Sequence, residues 1–309
     1  MYRKKRAVGW VHLGIIVSLL AFGGALSFAA KQASVVAPSA EVKKLATGFR
    51  FVEGPVADAT GNVYFSDIPN QRIHEWSLDG KVSVHRENSG GANGLFFDLR
   101  GNLIACEGGA RQLTSDDMKG NITVLANSYD AKKLNSPNDL WIDPMGGIYF
   151  TDPRYGSMEG LEQDGMHVYY LPPDRKKLIR VCDDLKRPNG LIGTPDGKIL
   201  YIADHGDGKT YLYNIQPNGT LAGKKLFVER GSDGVTLDER GNIYLTGKSV
   251  FVYEPSGQLV EEIAVPEAPA NVTFAGKDGR MLFITARTSI YAIEMSVRGA
   301  SAETWKTKD

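Results

Sequence analysis

The chain has 309 residues, 42% of them hydrophobic and 35 of them Gly, which suits one large all-β domain. Its 36 basic residues balance 36 acidic ones. Residues 1–30 hold four basic and no acidic residues, so the rest carries 32 basic against 36 acidic, and this net −4 without a basic stripe excludes nucleic acid as an expected partner.

The N-terminus reads as a targeting segment. Arg3-Lys4-Lys5-Arg6 precedes an apolar stretch over 8–28, broken only by His12 and small polar residues, and Ser27, Ala29 and Ala30 close it. A basic start, an apolar middle and a small-residue end describe a signal peptide over 1–30. The stretch is also just long enough to span a bilayer, so an uncleaved anchor is the alternative. Either way the domain is expected outside the cytoplasm, periplasmic or secreted, with the membrane touched only through this segment. Residues 31–42 read as a flexible leader, 43–296 as the folded domain and 297–309 as a C-terminal tail.

From about Lys43 the chain is strands and turns, with no convincing helical periodicity. One phrase, a Gly turn before a short apolar run, recurs six times: Gly61-Asn62-Val63-Tyr64-Phe65, then from Gly101, Gly146, Gly197, Gly241 and Gly279, at spacings of 40, 45, 51, 44 and 38 residues. Units of this length, each holding several short strands, predict an all-β, six-bladed propeller. In the first unit the strands are expected over 54–59, 62–66, 72–77 and 82–86, with Asp79-Gly80 as a hairpin turn. The sixth unit lacks a fourth strand, and residues 42–49 are expected to supply it, closing the ring and hiding its edges.

Eight residues before each lead Gly stands an oxygen-bearing side chain: Glu53, Asn93, Asn138, Asn189, Asp233 and Asn271. The mouth of each innermost strand faces the propeller axis, so this register predicts a ring of amide and carboxylate oxygens in a central channel. Oxygen-only donors with two carboxylates suit Ca²⁺, with Mg²⁺ and Mn²⁺ fitting less well. The histidines are scattered singly, which disfavours a His-rich zinc site. The competing reading is that Asn and Asp merely start turns, but six in one register, Glu53 among them, weaken it. A second set of acids, Asp67, Glu107, Asp152 and Asp204, ends the second strands on the same face, where they could shape a substrate pocket, although hydrogen bonding to loop backbone is the expected role for most of them. Arg111 is a candidate for holding a substrate oxygen or for a structural ion pair. His205, in a Gly-rich loop, is expected to be solvent-exposed. Cys106 and Cys182 lie in apolar strand-like runs and read as two buried thiols, although an exported chain could pair them.

These residues also carry a resemblance. Val52-Glu53-Gly54-Pro55, Ser136-Pro137-Asn138-Asp139, Phe150-Thr151-Asp152-Pro153-Arg154-Tyr155-Gly156, Arg187-Pro188-Asn189-Gly190-Leu191 and Ser232-Asp233-Gly234 resemble phrases of the regucalcin (senescence marker protein)/gluconolactonase family over about residues 45–295. The resemblance implies one divalent ion, usually calcium with zinc also accepted, on Glu53, Asn138, Asn189 and Asp233. It implies hydrolysis of a sugar lactone, with Asp233 as the acid/base, and leaves Asn93 and Asn271 as second-layer or substrate contacts. The animal branch carries an arginine where this chain has Ser136, so the bacterial gluconolactonase-like branch is the nearer pattern. Two alternatives stay open: an aryl esterase or phosphotriesterase on the same site, and a non-catalytic propeller that binds a sugar or a protein.

Overall fold

The computed structural model describes residues 34–300, together with residues 1, 2, 5, 7 and 9. The expected signal or anchor over 1–30 therefore lies outside the described residues apart from those five. No helix among the described residues is long and apolar enough to cross a membrane.

Among the described residues six four-stranded antiparallel sheets follow one another, with one small extra hairpin, Ser128–Tyr129 against Lys132–Lys133. The first sheet runs Val52–Ala57, Val63–Asp67, Arg72–Trp76 and Val82–Glu87, within a residue or two of the expected strands. The turn chemistry explains the repeating Gly. Asp58, Asp98, Asp143 and Asp238 each cap the turn between the first and second strands by accepting two backbone N–H groups, as in Asp58 Oδ1 with Thr60 and Asn62 at 2.8 and 3.0 Å. The lead Gly then sits at positive φ, from +69° at Gly197 to +95° at Gly61, where a side chain would be strained.

Burial grades outward along each blade. The second strands, such as Val63–Asp67 and Ile148–Asp152, are buried on both faces, whereas the outer strand Ile122–Ala126 is largely exposed. Neighbouring sheets share their cores: Ile104, Cys106 and Leu113 of the second pack with Leu140, Ile148 and Phe150 of the third. Cys106 and Cys182 are both buried free thiols. Burial raises both, Cys182 to about 12, so neither is reactive near neutral pH.

The ring closes as expected. Lys43–Thr47 pairs with Ser289–Glu294, matching Lys43 with Ala292 and Thr47 with Ser289, and completes the sixth sheet. Phe65 and Trp76 of the first sheet meet Phe283 of the sixth at 6.0 and 5.7 Å, sealing the seam. The flanks differ from expectation. Residues 34–42 are not a loose leader: Val35 is 1% exposed and Val36 bridges Met295. Beyond the last strand, Val297 is 0% exposed and Gly299 bridges Asp238, so the tail is packed as far as residue 300. Both segments bring apolar side chains and unpaired backbone to a sheet edge, which is sufficient reason for them to dock. Deleting residues up to 39 should therefore lower the melting temperature by a few degrees, since burying one valine contributes about 1.5–3 kcal/mol. Deleting through Thr47 should cost far more, because it bares a strand edge. Equal melting curves for the two truncations would contradict this closure.

Candidate metal centre and channel mouth

The inner strands deliver the six ring residues to one end of the channel, three of them at a local irregularity. In the first sheet the ladder slips just after the ring residue, where Glu53 pairs with Ser66 but Val56 with Tyr64, and in the second and fourth the slips between Ala92 and Leu95 and between Pro188 and Leu191 span Asn93 and Asn189. Such bulges re-aim a side chain. A Gly then follows the ring residue in four sheets, allowing close approach of the next one. A Cβ on Gly54 would lie 1.9 Å from the Asn93 carbonyl, and one on Gly94 would lie 2.7 Å from that of Asn138. Hydroxyls of the second strands brace the ring backbone: Ser66 donates to the Asn93 carbonyl, while Thr246 and Thr285 accept from the Gly234 and Asn271 N–H.

The result is a confined cluster of acids. Glu53 is 3% exposed, and burial, then the neighbouring Asp233 charge, push its carboxyl well above the usual range. Asp233 is half-buried and also raised, by burial first, against the pull of His205 and a hydrogen bond from Asn189. Asp139, next to Asn138, is pushed up to about 7 by burial. The acid-pairing cations of the described residues serve other carboxylates, and none pairs with Glu53, Asp139 or Asp233. Asn189 spends both amide hydrogens, donating to Asp233 Oδ1 at 2.5 Å and Tyr155 Oη at 2.7 Å, which identifies Oδ1 as its free end. Among the described residues the side chains of Asn93 and Asn138 make no hydrogen bond.

These groups fit a hard divalent cation. Like charges confined without a basic partner, together with uncommitted amide oxygens, form a donor set for one. No group of three His, Cys, Asp or Glu among the described residues gathers at metal-holding distance, so a cation held here would need the amide oxygens as well. Below the ring the channel, lined by Asp139, Asn271, Leu140 and Val235 among others, encloses only about 40 Å³. That is room for a few waters at most, so a substrate must sit at the mouth. A larger hollow of about 540 Å³ lies at the perimeter, around His85, Arg86 and Asp116, and contains none of the ring residues.

A family model described as the SMP-30/gluconolactonase/LRE-like region matches residues 51–288. The chain belongs to this family. It is 28% identical over 313 residues to a gluconolactonase of Zymomonas mobilis, covering 90% of this chain and 87% of that one. A solved gluconolactonase of Xanthomonas campestris superposes with a TM-score of 0.79 at 31% identity, covering 84% and 91% of the two chains. The calcium-binding regucalcin of Agrobacterium tumefaciens shares the fold, with a TM-score of 0.71 at 20% identity over 86% and 95%.

Within this gluconolactonase-like frame the structure distributes the sequence candidates unevenly. Glu53 and Asp233 touch, and Asn189 touches Asp233. Asn271 is drawn into the cluster as a donor: it bonds Glu53 and Asp139, the latter at 3.4 Å, while its Oδ1 is taken by the Val272 N–H. Arg111 is held by loop backbone, donating to the carbonyls of Leu134 and Gly160, with Glu162 at 3.8 Å. Its contacts are those of the structural ion pair rather than of a substrate clamp. Asp67, Asp152 and Asp204 accept backbone N–H groups of the loops that lead into the inner strands, as expected. His205 is exposed, yet its Nδ1 lies 3.1 Å from Tyr155 Oη. Two residues were not singled out from sequence. Asp139 occupies the slot that is Gly after four of the other ring residues, and that break in the pattern was its signal. Tyr155 lies in a loop with no repeat to place it.

Proposed function

We propose that this propeller hydrolyses a sugar lactone with a divalent cation, Ca²⁺ by donor hardness, held on Glu53, Asn138, Asn189 and Asp233. When bound, the cation supplies charge stabilisation to the lactone carbonyl oxygen. Asp233 would accept the proton of the attacking water as the new C–O bond forms. It would return that proton to the ring oxygen as the ester C–O bond breaks, giving the open hydroxy acid. Asn189 orients Asp233 from one side, and Glu53 supplies buried negative charge beneath. The observation that carries the reading is the half-buried Asp233 carboxyl at the mouth, held by Asn189 beside the deeply buried Glu53 and forming no ion pair with a basic side chain among the described residues. The names of the Zymomonas and Xanthomonas relatives support lactone hydrolysis. The basic and apolar N-terminal residues support export of the domain to the periplasm or medium.

The test is a panel of glucono-, galactono- and xylono-lactones with one aryl ester, assayed after chelation and after return of each divalent ion. Turnover restored by one ion, with lactones ahead of the ester, is expected. No turnover by folded, ion-loaded protein would sink the reading.

A further inference from the structure

Three arginines at the mouth form no ion pair with an acid among the described residues. Arg154 follows strand Ile148–Asp152, Arg187 precedes strand Pro188–Gly193 and Arg287 follows strand Met281–Ala286, all on the face where the ring opens. The acids nearby hydrogen-bond to backbone instead: Asp152 accepts the N–H groups of Asn135 and Ser136, with Arg154 acting on it only through space, and Asp204 accepts those of Lys186, Arg187 and Gly206. The arginine ion pairs of the described residues use Arg72, Arg86, Arg111, Arg180 and Arg280, not these three. The Nε atoms of Arg154 and Arg187 are sealed from solvent without a partner. A partly buried guanidinium without a carboxylate is costly to keep, which makes an absent ligand the natural completion.

Arg187 is the best placed of the three. Its guanidinium lies 5.2 Å over the Tyr155 ring. Tyr155 Oη in turn accepts from Asn189 at 2.7 Å, and Asn189 bonds Asp233. The stacked cation is thus joined to the proposed reaction centre through one aromatic ring and one amide. His205 reaches the same hydroxyl, and its charge and that of Arg287 act on Asp233. A planar, stacked guanidinium with free N–H groups suits a carboxylate or phosphate.

We infer that the channel mouth selects lactones carrying a second, anionic group, a carboxylate or phosphate remote from the ester, and that Arg187 is the residue that reads it. The substrate class rests on the lactonase reading; the anion site itself does not. The experiment has two arms, run on calcium-loaded protein. In the first, kcat/KM is compared for glucono-1,5-lactone 6-phosphate and glucaro-1,4-lactone against the neutral glucono-1,5- and 1,4-lactones, in wild type, Arg187→Gln and Arg187→Lys. In the second, binding of gluconate 6-phosphate and glucarate is compared with gluconate by calorimetry in the same three proteins. At least a tenfold preference for one or both anionic compounds is expected. It should shrink toward parity in Arg187→Gln, survive in part in Arg187→Lys and weaken with added salt. Which compound is preferred distinguishes phosphate from carboxylate. Parity in wild type, or a preference that Arg187→Gln leaves intact, overturns the inference. If no lactone turns over but the extra anion still tightens binding through Arg187, the lactonase reading fails and the anion site stands. If binding also shows no such dependence, both fail.

Discussion

Replacing Asp233 with Asn is expected to lower kcat for lactone hydrolysis by about 10²–10⁴-fold, the usual contribution of a general acid–base, while the fold survives. The argument is local. Asp233 is the half-buried carboxyl of the cluster, whereas Glu53 at 3% exposed lies too deep to meet a substrate. Asn is nearly isosteric and keeps a carbonyl oxygen for a cation, but it cannot take a proton. It also relieves the repulsion with Glu53, so the metal-free variant should melt no lower than wild type. Turnover unchanged in a folded Asp233→Asn protein would remove Asp233 from the mechanism.

The second large effect is on metal-free stability against pH. Glu53, Asp233, Asp139 and Asp152 are all raised in the folded state, with burial the first cause of each and Asp139 and Asp152 at about 7. An acid raised on folding binds its proton more tightly in the native chain, so stability falls as pH rises from its unfolded value toward its folded one. Chelated protein should therefore lose several degrees of melting temperature between about pH 4.5 and 7.5. Saturating calcium should restore most of the loss, because a nearby cation favours the charged forms of Glu53 and Asp233. The Asp152 share should remain, since its neighbours are the Asn135 and Ser136 amides, Arg111 and Arg154 rather than the ring. Glu53→Gln should lessen the slope of the chelated protein and weaken its response to calcium. A chelated wild type whose melting temperature is level or rises over that range would contradict the electrostatic account of the ring.

Much of this was legible before any coordinates. The six Gly turns announced six blades because the turn needs positive φ at that residue, and the ring followed from a fixed offset along equivalent strands. The closing strand was legible too, as the sixth unit lacked a partner that 42–49 could supply. Legibility ended where repetition ended. Nothing periodic marked Val35 or Val297, whose burial depends on edges defined only after the ring closes. Arg111 shows the converse: a charged residue near an acid and two glycines invites a functional reading, yet its bonds go to the Leu134 carbonyl and to that of Gly160, which the loop over 156–166 brings close. Tyr155 and Arg187 are far apart in the chain, and only the meeting of two loops places the guanidinium over the ring.

The proposed hydrolysis requires the oxygen ring to hold one divalent cation. Calorimetric titration of calcium into chelated protein at neutral pH reads it directly. One ion per chain in wild type, with affinity at least tenfold weaker in Glu53→Gln, is the expected result. No saturable binding, or equal binding by the two proteins, would contradict it.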